Sequence, residues 1–234
     1  VSMLPRIFPP FPERPDVSVY ATMIPAKEVG GDFYDFFLID DDQFCFLIGD
    51  VSGKGVPAAL FMVIAKSLLK NQSLLGGTPS EILSQVNKML CADNEQSMFV
   101  TLFLAILDTR SGQLTYANAG HNPPLLARRG EPATYLQPRK GFVLGGFEGV
   151  RYTDEVLQMQ AGDTFCLYTD GVTEAMDTDF ALYGESRLLD RVRESASKNE
   201  KEIVRVIQED VARFAGSAPQ SDDITLLVVR DNPS

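Results

Sequence analysis

Cysteine is scarce in this chain, and its few copies exclude a disulfide framework. Only three cysteines occur in 234 residues. They form no Cys-x-x-Cys pair, and Cys45 and Cys166 lie inside the apolar runs 44–48 and 165–168. This pattern indicates reduced thiols in a hydrophobic core and argues against a zinc site. We therefore expect a cytoplasmic protein.

Long hydrophobic runs are also missing. No stretch approaches the roughly 18 apolar residues of a membrane span, and no signal-peptide pattern is visible.

Positively charged residues are fewer than negatively charged ones. The chain has 21 Lys and Arg and 32 Asp and Glu, which gives a formal net charge of -11 and an isoelectric point of about 4.6. A surface of this sign repels nucleic acid and anionic lipid. We expect neither nucleic acid nor a membrane as a partner of this segment.

Five prolines exclude regular structure from residues 1–16. Proline fixes the backbone angle φ and lacks an N–H donor. We predict that residues 1–16 form a linker from an upstream sensor or receiver module, an expectation that the absence of an initiator methionine favours. Residues 17–234 are predicted to form one domain, because a chain of 234 residues that is 44% apolar can bury a full core.

Apolar alternation and turn residues predict nine strands and four helices in this domain. The strands are predicted at 17–24, 33–39, 43–49, 98–107, 113–118, 125–128, 152–158, 163–169 and 224–229. The helices are predicted at 56–70, 79–92, 186–196 and 200–214. This order favours an α+β layered sandwich, in which helices flank two packed sheets.

The two helices of the first pair have different patterns. Segment 56–70 has Pro57 in a first-turn position and is apolar almost all round, so we predict a buried helix. The second helix follows Thr78, which has capping-box spacing to Glu81.

Aspartates stand at the ends of several predicted strands. Asp32 opens a strand after two glycines, Asp50 and Asp170 each end one, and the pair Asp222 and Asp223 precedes the last. Strand ends on one rim of a sandwich can converge, and carboxylates without histidine or thiolate neighbours favour Mg²⁺ or Mn²⁺. Two such ions, about 3.5–4 Å apart, activate a water and clamp a phosphoryl group. The alternative is that Asp-Gly and Asp-Asp mark ordinary turns.

Five ordered motifs give the chain a specific resemblance to a known family. They are Gly30-Gly-Asp-Phe-Tyr-Asp35, Gly49-Asp-Val-Ser-Gly-Lys-Gly55, Ala117-Asn-Ala-Gly-His-Asn-Pro-Pro124, Tyr168-Thr-Asp-Gly-Val-Thr-Glu174 and Asp222-Asp-Ile-Thr225. In identity and order they resemble the SpoIIE/RsbU branch of the PPM (type 2C) metal-dependent serine/threonine protein phosphatases, over roughly residues 17–230.

The resemblance implies a fold, a cofactor and a substrate class. The fold is a four-layer α-β-β-α sandwich with two packed, mainly antiparallel sheets, and the cofactor is a pair of Mn²⁺ or Mg²⁺ ions. The substrates are phosphoserine or phosphothreonine proteins, in this branch usually STAS-domain anti-sigma-factor antagonists.

The resemblance also implies roles for individual residues. Asp50 resembles the aspartate that bridges both ions, and the Val51 carbonyl takes the place of a backbone ligand. Asp32 and Asp170 resemble ligands to one ion or the other.

The closing pair is ambiguous as a source of metal ligands. Related families align only the first residue of this pair with a ligand, which favours Asp222 and leaves Asp223 open. The predicted catalytic residues are accordingly Asp32, Asp50, Asp170 and Asp222.

Two departures from the eukaryotic type 2C enzymes bear on mechanism. Their phosphate-gripping arginine has no counterpart, since Lys27 is the nearest basic residue, and their histidine after the bridging aspartate is replaced by Ser52. An unactivated serine hydroxyl is a poor acid near neutral pH, so we expect water or a metal-bound species to protonate the leaving group.

Four further residues have open roles. Lys54 lies in a Gly-rich turn before a helix, where anions are attracted, and either holds substrate phosphate or is a solvated turn lysine. His121 is the single histidine, and its turn context favours a structural role over catalysis. Glu174 either interacts with the dipole at a helix N-terminus or hydrogen-bonds a metal ligand and orients it, and Asp35 has the same two alternatives, with the second favoured.

Two other function classes compete with the phosphatase. Gly30-Gly-Asp-Phe33 is close to the Gly-Gly-Asp-Glu-Phe signature of diguanylate cyclases, yet Phe33 replaces an acid there. A non-catalytic binding module on the same fold would be expected to have lost metal ligands, and none of the expected ligands is missing in this sequence. A P-loop at 49–55 is disfavoured, because the spacer and the Ser/Thr after the lysine are missing.

The connection between the metal loop and the first helical pair suggests regulation. Asp50 and the turn 53–55 lead directly into the helix at Val56. A shift of the helical pair would move a metal ligand, as a switch requires. We expect an upstream module to activate the domain by repositioning these helices through formation of a homodimer.

Overall fold

The computed structural model describes residues 14–92, 94, 96–139 and 141–232. Within these ranges the chain forms ten strands and five helices. In chain order the elements are β1 (Val17–Ile24), β2 (Phe33–Leu38), β3 (Gln43–Val51), α1 (Val56–Leu74), α2 (Pro79–Ala92), β4 (Val100–Asp108), β5 (Gln113–Ala119), β6 (Leu125–Ala127), β7 (Thr134–Tyr135), β8 (Glu155–Gln158), β9 (Thr164–Tyr168), α3 (Asp170–Thr173), α4 (Glu185–Ser195), α5 (Glu200–Ala215) and β10 (Ile224–Asp231).

The strands form two five-stranded antiparallel sheets. One sheet has the order β1-β10-β9-β6-β7, and the other has the order β2-β3-β4-β5-β8. Between β2 and β3, Asp40 Oδ1 accepts the N–H groups of Asp42 and Gln43 at 2.9 and 2.8 Å. A carboxylate that bonds its own backbone in this way stabilises a tight turn, so the run of three aspartates is the hairpin turn.

Alternation along the strands divides the hydrophobic core into layers. Phe44, Phe46 and Ile48 of β3 face the other sheet, whereas Cys45 and Leu47 face α1 and α2. On the far side, the first sheet packs against α4 and α5. The layers run helix, sheet, sheet, helix, so the predicted four-layer α-β-β-α sandwich is confirmed.

Two element boundaries near the aspartates differ from the prediction. β3 continues to Val51, so Asp50 is its next-to-last residue. Asp170 does not end a strand but opens the short helix α3, because the Glu174 N–H donates to the Asp170 carbonyl at 2.7 Å and closes a helical turn. The strand β7 was not predicted, since two residues are too short for any periodicity.

Helix α1 is not buried as predicted. Its buried face has only about one residue per turn, namely Ala58, Ala65, Leu69 and Ser73. Its outer face is also apolar, with exposed fractions of 65% at Val56, 61% at Leu60, 54% at Val63 and 53% at Ile64. A helix that is apolar all round is usually enclosed, but the described part of this chain covers only one side of α1.

The remaining predictions on organisation concern the chain start, membranes and cysteines. Most of the predicted linker 1–16 lies outside the described residues, which begin at Arg14. No helix in the described ranges is long and apolar enough to cross a membrane. Cys45 and Cys166 are buried free thiols, as predicted, and burial raises the pKa of each to about 12.

Candidate metal centre

Strand ends from both sheets bring aspartates to one rim of the sandwich. The first sheet contributes the residues after β9 and before β10, and the second contributes those before β2 and at the end of β3. The acidic residues at these positions are Asp32, Asp50, Asp170, Asp222 and Asp223. The antiparallel connections thus gather side chains that lie far apart in sequence.

Asp32 is held between the two sheets by two threonines. Its Oδ2 accepts hydrogen bonds from Thr169 Oγ1 at 2.7 Å and Thr225 Oγ1 at 2.6 Å, and the residue is 2% exposed. Burial raises the pKa of Asp32 to about 8, with the charges of Asp50 and Asp223 adding to the rise and the threonine bonds opposing it. A carboxyl group with a raised pKa holds its proton near neutral pH, and a bound cation can replace that proton.

Asp50 and Val51 end β3 beside a glycine that leaves space in front of them. A Cβ atom on Gly31 would lie 2.9 Å from the Val51 carbonyl oxygen and 3.6 Å from Asp50 Oδ1. Burial raises the pKa of Asp50 to about 7, and the charges of Asp170 and Asp222 contribute to the rise. Glycine at position 31 therefore keeps both oxygens accessible to a ligand.

Asp222 pairs with a lysine from the turn that precedes α1. Lys54 Nζ lies 2.8 Å from Asp222 Oδ2 and donates to the Ser221 carbonyl at 2.8 Å. Both side chains are partly exposed, at 47% for Lys54 and 41% for Asp222. Gly53 and Gly55 flank the lysine with φ angles of 86° and 82°, a conformation that favours glycine. The turn thus directs Lys54 to the acidic rim.

Asp170 completes the acidic rim from the start of α3. Burial raises its pKa, and the charges of Glu174 and Asp222 add to the rise, whereas Lys54 lowers it. Glu174 is itself exposed. Asp170 is therefore subject to repulsion from neighbouring carboxylates, as are Asp32 and Asp50.

Asp223 differs from Asp222 because backbone N–H groups donate hydrogen bonds to both oxygens of its carboxylate. Oδ1 accepts the Ala26 N–H at 2.8 Å, and Oδ2 accepts the N–H groups of Gly31 at 2.8 Å and Asp32 at 3.4 Å. The residue is 5% exposed, and a Cβ atom on Gly30 would overlap its Oδ2. Asp223 thus fixes the loop that carries Asp32.

The donor set fits a hard divalent cation. The carboxylates and the Val51 carbonyl offer only oxygen, the donor that Mg²⁺ and Mn²⁺ prefer. No three acidic, histidine or cysteine side chains in the described ranges form a ready-made cage. Instead, Asp222 bonds an ammonium group that a cation can replace, and Asp32 accepts both threonine hydroxyl groups at one oxygen, Oδ2.

A narrow crevice beside the rim brings basic and acidic groups together. Its lining includes Asp50, Asp222, Lys54 and Lys27. In the sequence, Lys27 is only the nearest basic residue to the first acidic motif. The crevice makes it a second cationic side chain next to the carboxylates.

Contacts also define the surroundings of Ser52 and Asp35. Ser52 Oγ accepts the Phe99 N–H at 2.9 Å, so the serine ties the end of β3 to the segment before β4. Asp35 lies 3.8 Å from Lys70 Nζ of α1. It therefore faces the helical layer rather than the aspartates.

His121 is a buried neutral residue beneath the rim. Its Nδ1 lies 2.9 Å from Thr101 Oγ1, and the backbone N–H of His121 donates to Asn118 Oδ1 at 2.7 Å. Burial lowers its pKa to about 4. Thr101 is the partner of Asp50 in the pairing of β3 and β4, so His121 supports the strand end that carries Asp50.

Thr169 and Thr225 have roles that were not predicted from the sequence. Both lie within the quoted motifs, but threonine next to a strand is most simply a strand former. Their position beside Asp170 and Asp223 is the only signal that the sequence offers. The bonds to Asp32 depend on the packing of one sheet on the other.

The fold and the acidic rim define the class of protein, which is the type 2C protein serine/threonine phosphatase. The SiaA-PP2C domain of Pseudomonas aeruginosa is similar with a TM-score of 0.83 and 25% identity, covering 92% of this chain and 86% of that one. Phosphoserine phosphatase RsbU of Bacillus subtilis is 31% identical over 219 residues, which cover 94% of this chain and 64% of RsbU. Protein IcfG of Synechocystis sp. is 29% identical in an alignment of 248 positions, which covers 94% of this chain and 39% of IcfG. The chain thus spans less than two thirds of the length of these two relatives.

The family itself follows from a match along most of the chain. The family model of Stage II sporulation protein E (SpoIIE) matches residues 40–232. The chain belongs to the SpoIIE family. The resemblance carried by the five motifs is therefore confirmed, and phosphatases of this fold are metal-dependent.

Proposed function

We propose that the domain hydrolyses phosphoserine or phosphothreonine on a regulatory protein, with water activated at a centre of two Mn²⁺ or Mg²⁺ ions. The observation that carries the proposal is the acidic rim, where burial and mutual repulsion raise the pKa of Asp32, Asp50 and Asp170. Such a cluster is unfavourable unless protons or cations neutralise it. Bound cations neutralise the carboxylates at neutral pH and leave them ionised, so that they can act as ligands.

The proposed ligands divide between the two sheets. Asp50 would be the ligand shared by the ions, the Val51 carbonyl would contribute one oxygen, and Asp32 and Asp170 would each contribute a carboxylate. When bound, the ions lower the pKa of a water molecule and neutralise charge on the phosphoryl oxygens. Thr169 keeps the Asp32 carboxylate oriented through its hydroxyl group.

From the closing pair we assign Asp222 as the ligand. Its side chain is 41% exposed at the crevice, and one of its oxygens bonds only Lys54 and the other the Asp223 N–H. Both oxygens of Asp223 already accept backbone N–H groups. Using Asp223 as a ligand would take acceptors away from the loop that carries Asp32.

Substrate phosphate is assigned to the lysines of the crevice. Lys54 lies 2.8 Å from Asp222, so its ammonium group can exchange this carboxylate for a phosphate oxygen when a cation takes the carboxylate. Lys27 lines the same crevice. Ser52 accepts the Phe99 N–H and is a poor acid, so we assign protonation of the leaving group to solvent.

We further propose a phosphorylated STAS-domain protein as the substrate and the cytoplasm as the place of action. The support is the similarity to phosphoserine phosphatase RsbU along 94% of this chain, together with the five motifs. The net charge of -11 disfavours nucleic acid as an alternative target.

Regulation is proposed to act through α1. The helix begins directly after the turn that holds Lys54, and its outer apolar face is exposed. An upstream sensor or receiver module that covers this face, as part of a homodimer, would shift the turn and with it the metal ligands. Equal Mn²⁺ affinity and turnover for this domain and the full-length protein, with and without the activating signal, would rule the mechanism out.

Metal addition and removal test the activity directly. The purified domain is treated with chelator and then given Mn²⁺ or Mg²⁺, with an aryl phosphate and a phosphoserine protein as substrates. We expect turnover only with added metal, loss of turnover in Asp170→Asn, and normal turnover in Asp190→Asn, whose side chain is 60% exposed on α4.

Each competing function gives a different result in the same experiment. Undiminished turnover in excess chelator would remove the two-metal centre. Conversion of GTP to a cyclic dinucleotide would favour the cyclase, and metal binding without hydrolysis of any phosphate ester would favour a binding module.

A further inference from the structure

A cleft of about 310 Å³ opens beside the metal centre. Its walls come from α3, from the C-terminal end of α5 and from the segment that leads into β10. Two of the residues that line it, Gly171 and Ser221, are the sequence neighbours of Asp170 and Asp222. The cleft therefore adjoins the acidic rim through the backbone at these two positions.

The lining of the cleft is mostly apolar, with Gln208, Gln220 and Ser221 as its polar side chains, although the chain as a whole is acidic. None of the described residues that line it is charged. Ile24 and Met176 at its edge are 42% and 37% exposed. Exposed apolar side chains that gather in a concave surface are typical of binding sites, whereas single ones scattered over a surface are not.

Small residues on α5 create the depth of the cleft. Ala212, Ala215 and Gly216 line it where the helix ends. The volume is at the lower end of the roughly 300–1,000 Å³ found for pockets of small ligands. A site of this size and polarity suits one or two aliphatic side chains.

We propose that this cleft receives an apolar side chain of the phosphoprotein substrate, within about four residues of the phosphorylated serine or threonine. The proposal rests on the proposed function. It commits to the substrate polypeptide as occupant because Gly171 and Ser221 in the cleft wall are the sequence neighbours of Asp170 and Asp222 at the proposed metal centre, where the phosphate reacts. Successive Cα atoms are about 3.8 Å apart, so a chain with its phosphate at the rim reaches past Gly171 or Ser221 within a few residues.

The contact has a defined effect on the reaction. Transfer of an aliphatic side chain from water into an apolar cleft is favourable, and this binding contributes to kcat/KM for a substrate that carries the side chain. A small aryl phosphate does not extend into the cleft. The two substrate types therefore report separately on the cleft and on the metal centre.

Phosphoserine peptides test the proposal. A Gly/Ser/Gln decapeptide with one phosphoserine and no other charged side chain is compared with a series in which a single leucine moves through the four positions on each side of the phosphoserine. We expect one position, or two adjacent ones, to raise kcat/KM by about tenfold over the parent peptide. A lysine at the same position should give no gain.

Variants of the cleft complete the test. Ala212→Trp fills the cleft from an exposed helix position, and Met176→Glu adds a charge to its wall. Both should abolish the leucine preference and leave aryl phosphate turnover within about twofold of wild type. Ala161→Trp is the matched control, since Ala161 is exposed in the turn at the other end of β9, and it should keep the preference.

The outcomes separate this proposal from the proposed function. Equal kcat/KM for all peptides, or no turnover of any peptide by a domain that hydrolyses aryl phosphate, would overturn the proposal and leave the phosphatase intact. A leucine preference that survives Ala212→Trp and Met176→Glu would also overturn it. Failure to hydrolyse either substrate in the presence of Mn²⁺ would instead refute the phosphatase itself.

Discussion

Asparagine substitution at each residue of the closing pair should separate a scaffold residue from a metal ligand. Asp223 is 5% exposed, and its carboxylate accepts three backbone N–H groups from the loop that carries Asp32. Asp222 is 41% exposed at its side chain and pairs with Lys54. We therefore expect Asp223→Asn to reduce folding stability and Asp222→Asn to reduce metal affinity.

The expected magnitudes follow from these contacts. An amide at position 223 keeps one acceptor oxygen and turns an NH₂ group toward backbone donors. The loss of an acceptor by a buried N–H and the loss of charge-assisted bonding together cost about 2–4 kcal/mol, which lowers Tm by about 4–16 °C in a chain of this size. The exposed pair of Lys54 and Asp222 contributes about 1 kcal/mol or less, so Asp222→Asn should change Tm by no more than about 4 °C.

Two measurements on each variant are needed. Thermal unfolding in excess chelator removes any contribution of bound metal to Tm. Calorimetric titration with Mn²⁺, at a temperature where both variants are folded, measures metal affinity. We expect at least about tenfold weaker binding for Asp222→Asn, because it removes a charged ligand, and a smaller loss for Asp223→Asn, which acts only through the loop.

The opposite pattern would refute this reasoning. An Asp223→Asn protein with unchanged Tm and lost Mn²⁺ binding would make Asp223 the ligand. Equal loss of stability in both variants would mean that the three backbone bonds are not what holds the loop. Asp190→Asn on α4 serves as the control for loss of a surface charge.

Four further predictions concern charge and protonation. Mn²⁺ affinity should rise between about pH 6 and about pH 9 in calorimetry, because protons compete at Asp32 and Asp50, whose pKa values are raised to about 8 and about 7; a flat profile would contradict it. Asp50→Asn should lower turnover by at least about 10³-fold with an unchanged circular dichroism spectrum, and a loss below tenfold would remove Asp50 from the centre. Lys54→Met should raise KM for phosphate esters several-fold, while Lys88→Met on the exposed side of α2 should not. Burial lowers the pKa of His121 to about 4, below its unfolded value of about 6.5, so stability is lost as pH falls through this interval, and denaturant unfolding of His121→Gln should lack that component.

Much of the fold could be predicted from local pattern. The predicted bounds of β1 and α2 are those observed, because alternation and a capping box are signals contained within a few residues. Thr78 and Glu81 make the predicted reciprocal bonds, with the Thr78 N–H 2.9 Å from Glu81 Oε2. The positions of the aspartates at strand ends were likewise visible in the sequence.

Period-two alternation along β2 indicated the position of Asp35 correctly, whereas the first acidic motif did not. Phe33 and Phe37 face the helical layer, and period-two alternation puts Asp35 on the same face. The motif nevertheless grouped Asp35 with Asp32. Alternation was the better guide, as the contact with Lys70 shows.

Other features depend on tertiary contacts and had no local signal. The difference between Asp222 and Asp223 arises because Ala26 and Gly31 meet one residue of the pair and Lys54 meets the other. Identical side chains that are adjacent in sequence cannot be told apart by composition or period. The exposed face of α1 is a similar case, because an apolar pattern does not indicate how many sides are covered.

The bond between Lys54 and Asp222 links metal binding to the position of α1. Asp222 belongs to the loop before β10, whereas Lys54 precedes α1, so the ion pair joins the metal centre to the helical layer of the opposite sheet. With Asp222 as the proposed ligand, a cation at the oxygen bonded to Lys54 would release the lysine, and a movement of α1 that withdraws Lys54 would free this oxygen for a cation. Since linkage is reciprocal, any partner of α1 that raises metal affinity must itself bind more tightly when metal is present, by the same factor. In the proposed function the substrate phosphate would then accept the released lysine, so that metal, substrate and the position of α1 would favour one another.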